Sequence, residues 1–112
     1  MLKIKRIYDS PDRDDGFRIL IDRLWPRGVS KNKAKIDIWL KEIAPSENLR
    51  KWFAHDPVKW AAFKQNYFKE LDNKKAVIDE IAKRTKNGVT LLYAAKDKQH
   101  NNAQALKEYI EE

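Results

Sequence analysis

A chain of 112 residues has room for one domain around one core, and its composition, 42% hydrophobic and 37% charged with four each of Trp, Tyr and Phe, excludes a disordered chain. The absence of cysteine excludes disulfides, thiolate catalysis and Cys-ligated zinc. The net charge of +7 suits phosphates, carboxylates or nucleic acid as partners, unless it only solubilises the surface.

Leu2 to Tyr8 opens as a strand, with Leu2 and Ile4 directed one way and Lys3 and Lys5 the other. Residues 9 to 16, Asp-Ser-Pro-Asp-Arg-Asp-Asp-Gly, are rich in turn formers. That stretch is long for a hairpin and short for a parallel crossover, so the relative direction of the first two strands stays open. Arg18 to Asp22 forms the second strand, ended by Asp22-Arg23. The loop from Arg23 to Lys35 follows, carrying Arg23, Arg27, Lys31, Lys33 and Lys35 without one acidic residue. Within it Trp25-Pro26 forces an extended turn and Gly28 tolerates positive φ.

Ile36, Trp39, Leu40 and Ile43 fall at helical spacing and predict a short helix closed by Pro45, with Ser46 capping another that runs to Phe53. Asp56-Pro57 is a strong helix start, followed by the apolar stripe Trp60, Phe63, Tyr67 and Leu71. From Asn73 a further helix presents Val77, Ile78 and Ile81 on one face and stops at Asn87-Gly88. Val89 to Ala95 lacks alternation, as expected of a central strand covered on both faces. Lys96-Asp97 ends it, and a last helix begins near Asn101 with Ala103, Leu106, Tyr109 and Ile110 facing inward. The expected architecture is a small α/β domain over residues 1–112: about three strands, largely parallel, under four or five helices.

No stretch approaches the ~18 apolar residues a membrane span needs, and the opening residues do not form a signal peptide, so the expected location is the cytoplasm. The excess charge concentrates early, with ten basic and five acidic residues among positions 1–35.

Two strands therefore end in charge, and if they run parallel in one sheet their ends lie side by side, where ligands bind in open α/β sheets. Asp22 and Lys96 are the candidate catalytic groups. Arg23, Trp25, Arg27, Lys31, Asp97, His100, Asn101 and Asn102 are the candidate ligand contacts. Arginines grip phosphate or carboxylate with two prongs, and the start of the last helix adds free N–H groups. The bland alternative makes Asp22 and Arg27 an internal ion pair and Asn101 a simple helix cap. His55 reads as a helix lead-in, and neither it nor His100 has a partner at metal-ligand spacing, so no metal site is expected. Trp39, Trp52 and Trp60 read as core, or as an interaction patch if exposed together. No glycine-rich phosphate loop or nucleophile elbow is present, and no cofactor is indicated.

The motifs Asp22-Arg23-Leu24-Trp25-Pro26-Arg27-Gly28, Trp39-Leu40-Lys41-Glu42-Ile43-Ala44-Pro45-Ser46, His55-Asp56-Pro57 and Leu92 to Asp97 with His100-Asn101-Asn102-Ala103 resemble, in order, the YeaO-like branch of a bacterial family catalogued as a domain of unknown function, DUF 488. The resemblance runs from about Ile4 to Ile110. It implies a compact α/β domain with a polar site shared between residues 22–28 and 96–102. Longer members of the wider family carry cysteines where this chain has Tyr93 and Asn101, and a histidine in place of Asn102, so a thiol mechanism does not transfer. A uroporphyrin methyltransferase label attached to such proteins finds no glycine-rich cofactor loop here.

These readings converge on a small protein with an anion-accepting pocket, an enzyme or binder acting on a phosphorylated or nucleotide-like molecule. The rival reading is a nucleic-acid-binding domain using the basic loop 23–35 against phosphates, with Trp25 stacking on a base.

Overall fold

A computed structural model describes residues 1–112. Four strands form one sheet in the order β1-β4-β2-β3, with every pairing parallel: β1 Leu2–Arg6, β2 Phe17–Leu20, β3 Ile38–Trp39 and β4 Val89–Tyr93. Five helices accompany them: α1 Lys31–Ala34, α2 Glu47–Phe53, α3 Trp60–Leu71, α4 Lys75–Arg84 and α5 Asn102–Glu111. The central strand is β4, buried along its whole length, as its unbroken apolar run predicts.

The register divides the side chains cleanly. Leu2, Phe17 and Val89 share a face with Ile4, Ile19 and Leu91, and α2, α3, α4 and α5 cover that face to make the main core. Lys3, Arg18 and Thr90 share the opposite face with Lys5, Leu20 and Leu92. That side receives loops instead of long helices, and its smaller core gathers Ile7, Leu20, Ala34 and Leu92 with Trp25, Ile36 and Trp39.

The short connection between β1 and β2 settles their direction. Residues 7–16 cross back along the sheet without a helix, using only a 3-10 turn at Arg13–Asp15. Asp12 closes that turn by accepting from the Asp14 N–H while its own N–H donates to Asp15 Oδ2 (2.9 and 3.0 Å). Asp15 is then buried against the sheet: it pairs with Arg18 and with Lys5 (3.2 Å), and its carbonyl accepts from Thr90 Oγ1 (2.6 Å). Burial is the largest single influence and works to raise the Asp15 pKa, but the Asp12 N–H and the Lys5 and Arg18 cations together outweigh it and lower it. A charged turn pinned to polar strand residues does the work usually left to a crossover helix.

Entry into β2 is sterically tight. Gly16 sits at φ +66°, and a Cβ there would lie 2.4 Å from the Gly88 carbonyl oxygen, the same oxygen that accepts the Phe17 N–H at 3.0 Å. Only glycine fits both demands.

Two stretches differ from the pattern in the sequence: the expected loop at 23–35 contains the one-turn helix α1, capped by Ser30, and the expected helix at 36–43 is absent. Residues 36–43 form no α-helix but the two-residue strand β3 and a 3-10 turn at Lys41–Ile43. Asp37 N–H donates to the Arg18 carbonyl (2.8 Å) and Leu40 N–H to that of Leu20 (2.9 Å), so the exposed edge of β2 captures the segment. The apparent helical stripe parts across the sheet, with Ile36 and Trp39 joining the small core and Leu40 and Ile43 the large one.

Elsewhere the expected elements hold. Ser46 caps α2, accepting from the Leu49 N–H (3.2 Å). Asp56 caps the turn that leads into α3, whose Phe63, Tyr67 and Leu71 are buried. Because every strand is parallel, all the strand C-termini open on one edge of the sheet. There the ends of β2 and β4 are adjacent, joined by the Ile21 N–H to Leu92 carbonyl bond at 3.2 Å.

Candidate functional site

Beyond that edge lies a cavity of about 650 Å³, walled by residues 22–27, the Ala44–Pro45 corner, Phe53 and Phe63 from the helical side, and residues 94–97 with Asn101 and Asn102. Its size falls within the range of small-molecule pockets. Phe53 and Phe63 stack on each other at 4.3 Å between ring centroids and supply apolar lining.

Asp22 is the junction of the site. Its Oδ2 accepts the Ala94 N–H (3.0 Å) and its Oδ1 accepts from Asn102 Nδ2 (3.0 Å), which also donates to the Ile21 carbonyl (3.3 Å). Its carbonyl takes the Trp39 indole N–H at 2.7 Å. One side chain thus ties the end of β2 to the end of β4 and to the first residue of α5. Burial raises its pKa, against the opposing pull of the Asn102 and Ala94 hydrogen bonds and the nearby His55. Asp22 belongs to none of the ion pairs, so the internal pair with Arg27 is not formed.

The cations of the basic loop separate into different roles. Arg23 turns inward, and its guanidinium donates to the Pro45 carbonyl (3.0 and 3.3 Å), holding the 44–45 corner against the loop. Arg27 is exposed at the cavity rim, where its carbonyl accepts from the Tyr8 hydroxyl (2.9 Å) and its guanidinium enters no ion pair. Lys96, also exposed, stands on the rim beyond β4 and is likewise unpaired. Lys31 lies on α1 and does not line the cavity.

Trp25 lines the cavity but is anchored from behind. Its indole N–H donates to the Val29 carbonyl (2.8 Å), and its ring meets Trp39 edge-on at 5.4 Å. This closes the Trp25–Val29 turn around Gly28, at φ +77°.

The second motif is likewise divided between local structure and cavity. Asp97 Oδ1 accepts the N–H groups of Gln99 (2.9 Å) and His100 (3.0 Å), and Oδ2 lies 2.9 Å from His100 Nδ1. Those bonds, with the Gln99 N–H foremost, hold its carboxyl below the usual range. His100 stands edge-on to Trp60 at 5.3 Å, outside the cavity lining. Asn101 is buried and spent as the cap of α5, accepting from the Gln104 N–H (2.8 Å) and donating to the Asp97 carbonyl (2.9 Å). Asn101 thus forms the helix cap of the bland alternative while also standing in the cavity lining.

His55, read from the sequence as a helix lead-in, lines the cavity. It and Ala54 occupy successive left-handed conformations, φ +57° and +47°, between α2 and α3. No spacing signal marks it, because the turn that swings it back across the strand ends follows from how α2 and α3 pack on the sheet. Arg50, Phe53 and Phe63 join the lining from α2 and α3, and Tyr8 joins it because the end of β1 lies beside that of β4. No group of three or more His, Cys, Asp or Glu side chains is placed to hold a metal ion, and no helix is long and apolar enough to cross a membrane.

The chain is 42% identical over 112 aligned residues to "Uncharacterized protein YeaO" of Escherichia coli (strain K12), covering 97% of this chain and 96% of that protein. It is 39% identical over 88 residues to "Uncharacterized protein Mb3100c" of Mycobacterium bovis and, equally, to "Uncharacterized protein Rv3073c" of Mycobacterium tuberculosis, covering 79% of this chain and 74% of each of them. No solved structure matches. The family model described as "Inactive DUF488-N3 subclade" matches residues 1–112, and the chain therefore belongs to the DUF488-N3i family.

Proposed function

We propose that this protein is a single-domain cytoplasmic binder of a small phosphorylated or nucleotide-like anion, held in the cavity at the ends of β2 and β4. The observation that carries this reading is the pairing of apolar walls with two rim cations, Arg27 and Lys96, that no carboxylate of the protein neutralises. A guanidinium free of internal partners accepts a phosphate bidentately, and Lys96 adds a second charge from the opposite strand end. The family description names inactivity, which favours binding over turnover and gives Asp22 and Lys96 recognition roles in place of catalytic ones.

The rival nucleic-acid reading draws on the exposed Lys31, Lys33 and Lys35. It is the weaker one, because Trp25 is bonded to Val29 and packed on Trp39 instead of standing free to stack on a base.

Thermal-shift titration of inorganic pyrophosphate and nucleoside monophosphates tests the proposal. Ligands that bind the folded state raise its melting temperature, by an amount that grows with the logarithm of ligand concentration above Kd. The wild type should shift and Arg27→Ala should not. Equal shifts in both proteins, or none in either, would overturn it.

A further inference from the structure

Asp22 has more acceptor capacity than the protein uses. An ionised carboxylate offers about four lone-pair sites, yet each Asp22 oxygen receives a single protein donor, Ala94 N–H on Oδ2 and Asn102 Nδ2 on Oδ1, both at 3.0 Å. No cation pairs with it. A half-buried carboxylate with no direct ion pair keeps sites for further donors. Asn102 compounds the shortage, since its amide N–H groups are spent on Asp22 and Ile21 and only its oxygen is left to face the cavity. At the strand ends Asp22 therefore keeps open acceptor sites, with His55 also in the lining, while the rim offers the cations Arg27 and Lys96. Phe53 and Phe63, buried and stacked on each other, supply apolar lining between them.

Resting on the anion-binding reading above, the geometry points to a ligand with two adjacent, coplanar N–H donors that span the two Asp22 oxygens and an anionic group that reaches Arg27 and Lys96. The Watson–Crick edge of a guanine nucleotide carries such a donor pair, N1–H beside the 2-amino group, on a ring system compatible with a lining that includes Phe53 and Phe63. The guanidinium of free arginine carries the same pair beside a carboxylate. The shared chemistry is the paired donor with an anionic tail.

Isothermal titration separates the sources. The titrants are guanosine, inosine, adenosine and xanthosine 5′-monophosphates, L-arginine and inorganic pyrophosphate, against wild type, Asp22→Asn and Arg27→Ala. Wild type should bind the guanosine compound roughly tenfold or more tighter than the inosine and adenosine compounds, which lack one or both donors. Asp22→Asn should reverse the order, weakening the guanosine compound and gaining the xanthosine compound, whose 2-carbonyl accepts from the new amide. Such a gain also shows that the variant is folded. Arg27→Ala should weaken every nucleotide alike and leave their order unchanged. L-arginine binding more tightly than the guanosine compound, and losing affinity in Asp22→Asn, would support the inference with the guanidinium as source. Equal affinities for all four nucleotides, or binding of pyrophosphate alone, would overturn it while leaving the anion site intact. Binding of no anion at all would remove the site itself.

Discussion

Replacing Asp22 by asparagine tests the junction directly, and its effect has a sign that depends on pH. The Ala94 N–H keeps an acceptor, now the neutral amide oxygen, but the amide nitrogen then faces Asn102 Nδ2 where the bond at 3.0 Å had been. Asn102 must turn its oxygen inward, giving up its bond to the Ile21 carbonyl. One hydrogen bond lost and one weakened cost about 1–3 kcal/mol. Burial raises the wild-type carboxyl above its ordinary 3.8, so the folded state holds this proton more tightly than the unfolded chain does. Its stabilising contribution is therefore complete below 3.8 and is lost as pH rises through the elevated folded value. The asparagine does not titrate. Denaturant unfolding of both proteins from about pH 4 to about pH 8 should show the variant's deficit shrinking as pH rises, while the other carboxylates cancel in the difference. A deficit that grows with pH would mean that His55 and the donors at Asp22 favour the charged form over burial, and the reasoning would fail.

Gly16→Ala places a Cβ 2.4 Å from the Gly88 carbonyl oxygen at φ +66°, whereas Gly28→Ala at φ +77° meets nothing within 4 Å. The first should cost more than about 3 kcal/mol and the second about 1 kcal/mol in denaturant unfolding; equal costs would show that backbone strain alone matters. Asp15→Asn strands the buried Arg18 and should cost about 3–5 kcal/mol. Because the Asp15 pKa is lowered, the wild-type advantage should be full above 3.8 and fade as pH falls through the depressed folded value, the opposite course to that of Asp22. Asn101→Ala removes the α5 cap and should cost about 1 kcal/mol by the same assay, with amide exchange quickened at Ala103 and Gln104; unchanged exchange there would refute the cap.

Much of the fold was legible because local signals and tertiary packing agree. Ser46, Asp56 and Asn101 cap the turns or helices they precede, and the unbroken run at Val89 is the strand buried on both faces. The failure at residues 36–43 is instructive. Apolar residues spaced for one helical face can instead divide between two cores, as Ile36 and Trp39 on one side and Leu40 and Ile43 on the other do, and what decided between them was the unsatisfied edge of β2, a partner 19 or 20 residues away in sequence. The crossover from β1 to β2 was undecidable from length alone because Asp15 substitutes ion pairs for the packing of a helix.

The site was half legible for a related reason. Parallel strands bring their ends to one edge, so two charged strand endings in the sequence become neighbours once direction is known, and Asp22 does meet the Ala94 N–H and Asn102. Charge alone does not tell which cations remain free. Arg23 and Arg27 are four residues apart in one basic loop, yet the first is consumed by the Pro45 carbonyl and the second by nothing. The difference lies in the Ala44–Pro45 corner, which presents two carbonyls to Arg23 where the 3-10 turn at Lys41–Ile43 ends and the chain becomes extended at Ala44. The capture of residues 38–39 by the sheet edge, invisible in the spacing, thus also sets the inventory of the cavity: it fixes one arginine as scaffold and leaves the other to meet a ligand.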